Sequence, residues 1–304
     1  MPLFNVARPA LQTVSVVLLT LVFSSQVSAK TAAETHAKGI LWEVKSDTNT
    51  AYLFGSIHLA KASFYPLPNK VQKAYQQADT LAVELDSSDR NAVVKAMPLL
   101  TYAAPDKLQN HLQPATWDAL KGYVGPAAER FQILKPAMVA TGLMVGTFAK
   151  GGYEPAFGVD VHFITRAKQD KKQIVELESM EFQAKILGGL TDDEGDAMLS
   201  QTITSLKSGD ALRETNQLVA AWKAGDAEKV VTLLREESEQ NAGSKKIMER
   251  LLDERNPAMA DKIAELMAAG KHVIVVVGAG HISGPNSIAD LLKKQGLQVR
   301  QIKY

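Results

Sequence analysis

Short apolar runs alternate along this chain with longer segments in which apolar residues recur every three or four positions. The short runs are typical of buried strands, and the longer segments are typical of amphipathic helices. The predicted strands are the segments LWEV, AYLF, TLAVE, KKQIVELE, HVIVVV and LQVRQIKY. Helical spacing covers most of the remainder, namely residues 66–79, 91–150, 158–168, 180–269 and 286–296.

The order of these elements predicts the fold class. Strands occur at both ends of the chain and at intervals between, with helices connecting them, which is typical of an α/β protein. We therefore expect a central β-sheet flanked by helices, with a large helical insertion. Residues 136–149 are nearly all apolar but fall short of the roughly 20 residues of a membrane span. They predict a buried helix, with a substrate wall or a dimer face as alternatives.

The first 29 residues contain a basic, an apolar and a small-residue segment in the order that is typical of a secretory signal peptide. Arg8 precedes an apolar stretch from Val14 to Phe23, and small residues follow up to Ala29. The stretch is shorter than a membrane span, so cleavage after Ala29 is favoured over an uncleaved anchor. Residues 1–29 are then a signal peptide, 30–38 a linker and 39–304 a single domain, which export would place in the periplasm or outside the cell.

Charge and cysteine content exclude several classes of function. The chain has 34 Lys and Arg against 33 Asp and Glu, and its leader contains one base and no acid, so the remaining chain is balanced. A balanced chain does not attract nucleic acid or anionic lipid, so we expect no nucleic-acid partner and no stable membrane insertion after signal cleavage. The absence of cysteine excludes disulfides, thiol nucleophiles and thiolate metal sites.

Four of the predicted strands end in or lead directly to an ionisable residue, namely His58, Glu84, Glu178 and His281. Ligands of α/β proteins gather outside the carboxyl ends of the strands, so neighbouring strands would bring these side chains to one edge of the sheet. Imidazole and carboxylate together suit a divalent ion such as manganese, cobalt, zinc or iron. The sequence therefore predicts one shared site whose donors suit a divalent metal.

The two histidines stand in matching motifs, FGSIH and VGAGH, three places after a glycine. The glycines Gly55, Gly278 and Gly280 allow sharp turns and a close approach of the backbone to a ligand. The ordinary alternative for each histidine is a cap or a hydrogen-bonded core position, but two histidines in matched settings favour a function. The two glutamates could likewise cap the helices that follow them.

Arg255 and Asn256 have two interpretations that the sequence leaves open. Asn256 can cap a helix that has Pro257 in its first turn. Arg255 can instead reach into a site and bind a carboxylate or a developing oxyanion. The last glycine-rich turn also has some likeness to dinucleotide-binding loops, but its spacing is G-x-G-x-x-x-G and no acidic residue follows on the final strand.

These motifs together resemble the TraB/GumN family, which includes exported bacterial proteins and the TIKI-type proteases. The matching segments are LWEV…AYLFGSIH, AVELD, YEPAFGVDVHF, VELESMEFQ, LLDERNPAMADKI and VVVGAGHISG, over most of residues 40–285. The resemblance implies a fold related to the erythromycin-esterase and haem-binding ChaN-like proteins. It also implies a shared site for the residues of the family pattern, which here are Gly55, His58, Glu84, Gly278 and His281, with Asp160, Glu178, Arg255 and Asn256 at further polar positions.

The leading hypothesis is an exported, metal-dependent hydrolase with a peptidase-like reaction on a peptide or small-molecule substrate. His58 and His281 would bind a divalent ion, which is Mn, Co, Zn or Fe by its donors. Glu84 would either complete the coordination or act as a general base.

Other polar residues would support this site. Asp160 or Glu178 would orient a ligand histidine, and Arg255 or Asn256 would hold substrate. Two alternatives use the same residues: a metal-free hydrolase in which a glutamate holds a histidine base, and a non-catalytic protein that binds haem, metal or a peptide. The sequence leaves the substrate and the oligomeric state open.

Overall fold

Six β-strands form one mixed sheet in the residues that the computed structural model describes, 37–238 and 242–304. The strands are β1 (Ile40–Lys45), β2 (Thr50–Ser56), β3 (Thr80–Val83), β4 (Gln173–Glu176), β5 (Val273–Gly278) and β6 (Gln298–Ile302). The predicted α/β class with a central sheet is confirmed. The predicted signal peptide and nearly all of the predicted linker lie outside the described residues.

The order of strands across the sheet is β4-β3-β5-β2-β1-β6. The four strands from β4 to β2 run parallel to one another, whereas β1 is antiparallel to both of its neighbours. The register pairs Ser56 with Gly278, and Val83 with both Val276 and Glu176. The carboxyl ends of four parallel strands therefore meet at one edge of the sheet, where ligands of such sheets bind.

Helices connect the strands, and some of them pack on the sheet. The helices are α1 (Asn69–Gln77), α2 (Arg90–Leu100), α3 (Pro114–Val124), α4 (Pro136–Lys150), α5 (Val159–Gln169), α6 (Met180–Gly188), α7 (Asp192–Ser208), α8 (Asp210–Ala224), α9 (Ala227–Ser238), α10 (Ala242–Leu251), α11 (Asn256–Ala268), α12 (Ala279–Ile282) and α13 (Ile288–Lys294). Successive residues of β5 from Val273 to Val277 are all buried. Since neighbouring side chains of a strand point to opposite faces, both faces of this central strand are covered.

Most helical residues lie in the two connections on either side of β4. Helices α2 to α5 connect β3 to β4, and helices α6 to α11 connect β4 to β5. Helices α3, α4 and α7 build a second core, separate from that of the sheet, from residues that include Trp117, Leu120, Val139, Leu199 and Ile203. This second core corresponds to the predicted helical insertion.

Helix α4 contains the nearly all-apolar segment 136–149. It buries Ala137, Val139 and Leu143, whereas Thr141 is exposed. The prediction of a buried helix is therefore correct for one face of α4. In the part of the chain that the structure describes, no helix has both the length and the apolar character needed to cross a membrane.

His111 links the segment before α3 to the start of α7. Its Nδ1 lies 2.9 Å from Oδ1 of Asp192, its Nε2 lies 2.9 Å from Oδ2 of Asp106, and its ring stacks on Tyr102 at a centroid distance of 4.2 Å. An imidazolium can donate both hydrogen bonds, whereas a neutral imidazole can donate one. Burial alone would lower the pKa of His111, but the hydrogen bonds with the two aspartates raise it above its ordinary value.

We expect the His111→Phe variant, which keeps an aromatic ring beside Tyr102, to lose stability mainly at low pH. Because the folded-state pKa of His111 is raised, its ion pairs stabilise the protein fully below the unfolded-state pKa of about 6.5. This contribution is lost as the pH rises through the folded-state pKa. The free energy of unfolding should fall by about 1 kcal/mol at about pH 5 and by less at about pH 9. Urea denaturation at both pH values measures this, and an equal loss at both would contradict it.

Candidate active site at the carboxyl edge of the sheet

The carboxyl edge of the sheet brings together the four ionisable residues that follow its parallel strands. Glu84 comes directly after β3, whereas Glu178 and His58 lie two residues after β4 and β2. His281 lies in α12, the short helical turn that follows β5. Because these strands are neighbours in the sheet, they place side by side four residues that are far apart in the sequence.

Glu84 is buried, and its carboxylate is held from two sides. Oε1 accepts a hydrogen bond from the N–H of Gly278 at 2.7 Å. Oε2 accepts hydrogen bonds from Nη2 of Arg255 at 2.7 Å and from Nε2 of Gln183 at 3.0 Å. Burial alone would raise the pKa of Glu84, but the nearby imidazoles, the Arg255 guanidinium and the Gly278 N–H hold it at about 2. Within the described residues, these contacts leave one lone-pair direction of Oε1 for a ligand.

His281 is 3% exposed and presents its Nε2 to Glu84. That nitrogen lies 3.9 Å from Oε1 of Glu84, and Nδ1 lies 2.7 Å from Oδ1 of Asn256. Nδ2 of Asn256 donates to the carbonyl oxygen of Asn286 at 2.9 Å, which assigns Oδ1 as the atom that faces the imidazole. Nδ1 of His281 therefore carries the hydrogen, and Nε2 keeps its lone pair. Burial lowers the pKa of His281 to about 4, so the neutral form is favoured at about pH 7.

His58 lies at the open side of the site, with 68% of its side-chain surface accessible. Its Nδ1 lies 2.8 Å from Oδ2 of Asp160, whose Oδ1 accepts a hydrogen bond from the hydroxyl of Ser56 at 2.6 Å. The N–H of Val159, at the start of α5, donates to the carbonyl oxygen of Ile57 at 3.0 Å and so joins this helix to the end of β2. The Asp160 carboxylate raises the pKa of His58 above its ordinary value.

Arg255 and Glu178 lie behind Glu84, and the side chains of both are buried. Nη2 of Arg255 donates to Oε2 of Glu84 at 2.7 Å and to Oε2 of Glu178 at 2.5 Å. Nε of Arg255 also donates to Oε1 of Glu178 at 2.9 Å. Buried ion pairs add little net stability because the cost of desolvating both charges offsets their attraction. Their position at the edge of the sheet therefore favours a functional reason for them.

Gly278 leaves a space between the three candidate ligands. A carbon at its Cβ position would lie 3.2 Å from Oε1 of Glu84, 3.5 Å from Cδ2 of His281 and 3.7 Å from Nε2 of His58. All three side chains therefore border the same small volume. A side chain at position 278 would fill the volume that a ligand of these three residues needs.

Gly55 and Gly280 have a different reason to be glycine. A Cβ at Gly55 would lie 2.7 Å from Cδ1 of Ile282, and a Cβ at Gly280 would lie 3.2 Å from side-chain atoms of Leu234 and Leu252. Both glycines thus allow close packing of the turns against apolar neighbours. Of the three glycines predicted for the site, Gly278 is the one that borders the candidate ligands.

The capping explanations for the polar residues do not describe the structure. Helix α2 is capped by the carboxylate of Asp89, and helix α6 is capped by the hydroxyl of Ser179. Neither helix uses Glu84 or Glu178 as its cap in the described structure. Asn256 is the first residue of α11, and its side chain is directed to His281 and Asn286.

The charge of the site suits a divalent cation. In the part of the chain that the structure describes, the site contains the carboxylates of Glu84, Glu178 and Asp160 and the guanidinium of Arg255. With both imidazoles neutral, which is the form that binds a metal ion, three negative charges and one positive charge give a net charge of −2. Oxygen and imidazole donors in this number are those that manganese, cobalt, zinc and iron accept.

The arrangement of the donors is more open than that of a closed metal site. Among residues 37–238 and 242–304, no group of three or more His, Asp or Glu side chains is positioned as a ready metal-binding cluster. The donor set nevertheless fits a divalent ion, because Oε1 of Glu84, Nε2 of His58 and the ring of His281 border the same space beside Gly278, and imidazole nitrogen and carboxylate oxygen are ligands of such ions.

Gln183 belongs to this site, although it was assigned no role from the sequence and was included only as the last residue of the segment VELESMEFQ. It lies in the first half of α6, and its Nε2 donates to Glu84 at 3.0 Å and to Glu178 at 2.9 Å. The signal that could have found it is its position in the helix that directly follows the strand-end glutamate, since such helices begin at the carboxyl edge of the sheet. A single glutamine in a helix is not a motif by itself.

Comparisons with known proteins agree with the extent of this site. The model of the TraB/PrgY/gumN family matches residues 40–301, a range that contains every residue of the site described above. The chain is 29% identical over 247 residues to the uncharacterized protein YbaP of Escherichia coli (strain K12), and the match covers 80% of this chain and 87% of that protein.

Two more distant relatives are named as metalloproteases. The chain is 22% identical over 310 residues to Metalloprotease TIKI1 of Danio rerio, and the match covers 85% of this chain and 62% of that protein. It is 23% identical over 316 residues to the Metalloprotease TIKI homolog of Nematostella vectensis, and this match covers 86% of this chain and 67% of that protein. No solved structure matches the chain at a significant level, so the relation to the esterase and ChaN-like folds stays a prediction.

Proposed function

The chain belongs to the TraB/PrgY/gumN family, and from this membership and the geometry of its site we propose that it is a metal-dependent hydrolase of peptide bonds. The observation that carries the proposal is the way in which both histidines are held. Nδ1 of His58 is bonded to Asp160 and Nδ1 of His281 to Asn256, which leaves each Nε2 for a ligand. Metal-ligating histidines almost always donate their other ring N–H in this manner.

His58, His281 and Glu84 would hold the ion through the two Nε2 atoms and Oε1. A divalent ion held by these residues would supply a water molecule that ionises near neutral pH, and the ion itself would polarise the carbonyl group of a substrate. Glu84 suits the role of a ligand because Arg255 and Gln183 occupy its Oε2 and keep the carboxylate in one orientation. The net negative charge of the site favours the divalent ion over water.

The remaining polar residues support these three. Asp160 orients His58, and Asn256 orients His281. Glu178 anchors Arg255, whose charge is shared between Glu178 and Glu84. We therefore assign Arg255 and Asn256 to the support of the ligands rather than to the binding of substrate.

Peptides are the proposed substrate class because distant relatives are named metalloproteases. The exposure of His58 supports this substrate class, because an extended peptide could reach a site whose histidine lies at the surface. The order of residues in the leader supports export, so the proposed location is the periplasm or the cell exterior.

Removal of metal tests this proposal directly. We expect the purified protein to hydrolyse members of a quenched-fluorescent peptide library and to lose at least about 100-fold in rate after chelation, since a metal ion contributes several kcal/mol of transition-state stabilisation. Addition of Mn, Co, Zn or Fe to the dialysed protein should restore the rate. A Glu84→Gln sample purified in parallel controls for contaminating peptidases, and a rate that survives complete removal of metal would contradict the proposal.

Metal-free hydrolysis is a second candidate because His58 and Asp160 form a hydrogen-bonded pair at the open side of the site. A carboxylate that holds an imidazole in this way allows the imidazole to act as a general base. Hydrolysis that is insensitive to chelation but is lost in His58→Ala would favour this candidate over the first.

A further inference from the structure

We propose that Gln183 is a positioning residue that fixes the direction of the Glu84 carboxylate. This inference rests on the proposed function, in which Glu84 is a ligand of the site. The interaction joins two residues from different connections, because Glu84 follows β3 and Gln183 lies in α6 after β4. Gln183 would act on the chemistry through Glu84 and would not touch the substrate.

Gln183 and Arg255 bridge the same two carboxylate oxygens. Nε2 of Gln183 lies 3.0 Å from Oε2 of Glu84 and 2.9 Å from Oε2 of Glu178. Nη2 of Arg255 lies 2.7 Å and 2.5 Å from the same two atoms. Two donors and two acceptors thus form a closed loop of hydrogen bonds. Both hydrogens of the Gln183 amide are used, so its orientation is fixed as well.

Arg255 alone does not fix the plane of the Glu84 carboxylate. Its guanidinium is anchored to Glu178 by Nε and Nη2, and it reaches Glu84 through Nη2. The terminal torsion of a glutamate is broad, so a single donor on each carboxylate oxygen, Arg255 on Oε2 and the Gly278 N–H on Oε1, still allows the carboxylate to turn by a limited angle. A second donor on Oε2, together with the Gly278 N–H on Oε1, restricts that rotation. The remaining lone pair of Oε1 is then held toward Nε2 of His281.

Glutamine is suited to this position because it supplies two donors without a charge. A lysine or arginine there would cancel part of the net negative charge that attracts a divalent cation. A glutamate there would add a third carboxylate beside Glu84 and Glu178, and like charges at this distance repel strongly. The neutral amide therefore separates the two carboxylates and leaves the charge of the site unchanged.

The surroundings of α6 keep Gln183 in place. Helix α6 starts at the Ser179 cap, and the N–H of Gln183 donates to the carbonyl oxygen of Ser179 at 3.1 Å. Ala184, the next residue, is buried against Ala96 and Leu100 of helix α2. The backbone of Gln183 is therefore anchored on both sides, as a positioning residue requires.

Cobalt binding by the full-length chain tests the inference without an activity assay. The Gln183→Met variant removes both donors but keeps the length of the side chain, and Gln183→Ala is the second variant should methionine disturb folding. The matched control is Gln72→Met, since Gln72 is a hydrogen-bonded helix residue whose side chain contacts Arg166 and Leu67 instead of the site. Titration with Co²⁺, followed by its visible absorption, gives the dissociation constant of each protein.

We expect Gln183→Met to bind Co²⁺ about 10- to 100-fold more weakly than the parent, the usual effect of removing a group that orients a metal ligand. Gln72→Met should bind as the parent does. Parent-like affinity in both Gln183 variants would overturn the inference while leaving the proposed function in place.

A second measurement separates the inference from the proposed function. In protein labelled with ¹³C at the glutamate carboxyl carbons, the Glu84 resonance is assigned by its loss in Glu84→Gln. We expect this resonance to shift or broaden in Gln183→Met and to stay unchanged in Gln72→Met. If the parent binds no cobalt, the metal-dependent function fails, and the Glu84 resonance then tests the positioning role of Gln183 by itself. An unchanged Glu84 resonance in Gln183→Met would overturn that role.

Discussion

The Glu84→Gln variant should hydrolyse peptides at least about 100-fold more slowly than the parent, because loss of a proposed metal ligand should cost at least as much as the roughly 10- to 100-fold that follows removal of a group orienting one. Glutamine keeps the size of the side chain, but it removes one negative charge from a site whose net charge is −2 with neutral imidazoles. Its amide nitrogen would also meet the donors of Arg255 and Gln183 if its oxygen kept the Gly278 N–H. The measurement is kcat/KM for the best peptide of the library, with circular dichroism to verify the fold.

Glu178→Gln is the matched control for this variant. Glu178 shares Arg255 and Gln183 with Glu84 but is not one of the proposed ligands. We expect Glu178→Gln to lose less activity than Glu84→Gln and to keep bound metal. Equal losses in the two variants would indicate that the ion-pair network as a whole, rather than Glu84, governs the rate. Parent-like activity in Glu84→Gln would contradict its assigned role.

The second large effect concerns metal content. We expect the parent to retain about one equivalent of a divalent metal after chelation, addition of metal and desalting, and the His58→Ala, His281→Ala double variant to retain none. The double variant removes two of the three proposed ligands, whose imidazole rings border the space beside Gly278. Elemental analysis of protein without a histidine tag measures the difference.

His272→Ala is the control for the loss of a histidine outside the site. His272 directly precedes β5, at the amino end of the strand, whereas His281 follows its carboxyl end. This variant should bind as much metal as the parent. If the parent itself stays free of metal while folded, the metal-dependent function fails, and the metal-free candidate based on His58 and Asp160 takes its place.

The sequence predicted the elements that position the site because their patterns are local. Apolar runs predicted all six strands to within a few residues, and helical spacing predicted the long connections. The matched glycine and histidine motifs identified His58 and His281, and their position after a strand indicated the edge of the sheet where both lie. The helix caps differ from the proposed alternatives because Asp89 and Ser179, closer to each helix start, take that role.

Arg255 and Gln183 show what the sequence could not predict. From the sequence, Arg255 could belong to the start of a capped helix or could reach into the site, and neither was favoured. Its position between two buried carboxylates is visible only in the structure. Gln183 ends the segment VELESMEFQ, but nothing in that segment indicates a role for it, and its partner Glu84 belongs to another connection of the sheet. Their roles depend on which strands are neighbours, and strand order is not encoded in local spacing.

The sequence by itself determined the fold class, the strand-end residues of the candidate site and the membership of the TraB/PrgY/gumN family. These features follow from periodicity and from short motifs, which are properties of residues close together in the chain. The tertiary structure decided that β4, β3, β5 and β2 are parallel neighbours, and that Asp160 and Asn256 hold the two histidines. Such contacts join residues far apart in the sequence, so they form only when the packing of the whole sheet and its helices brings their elements together.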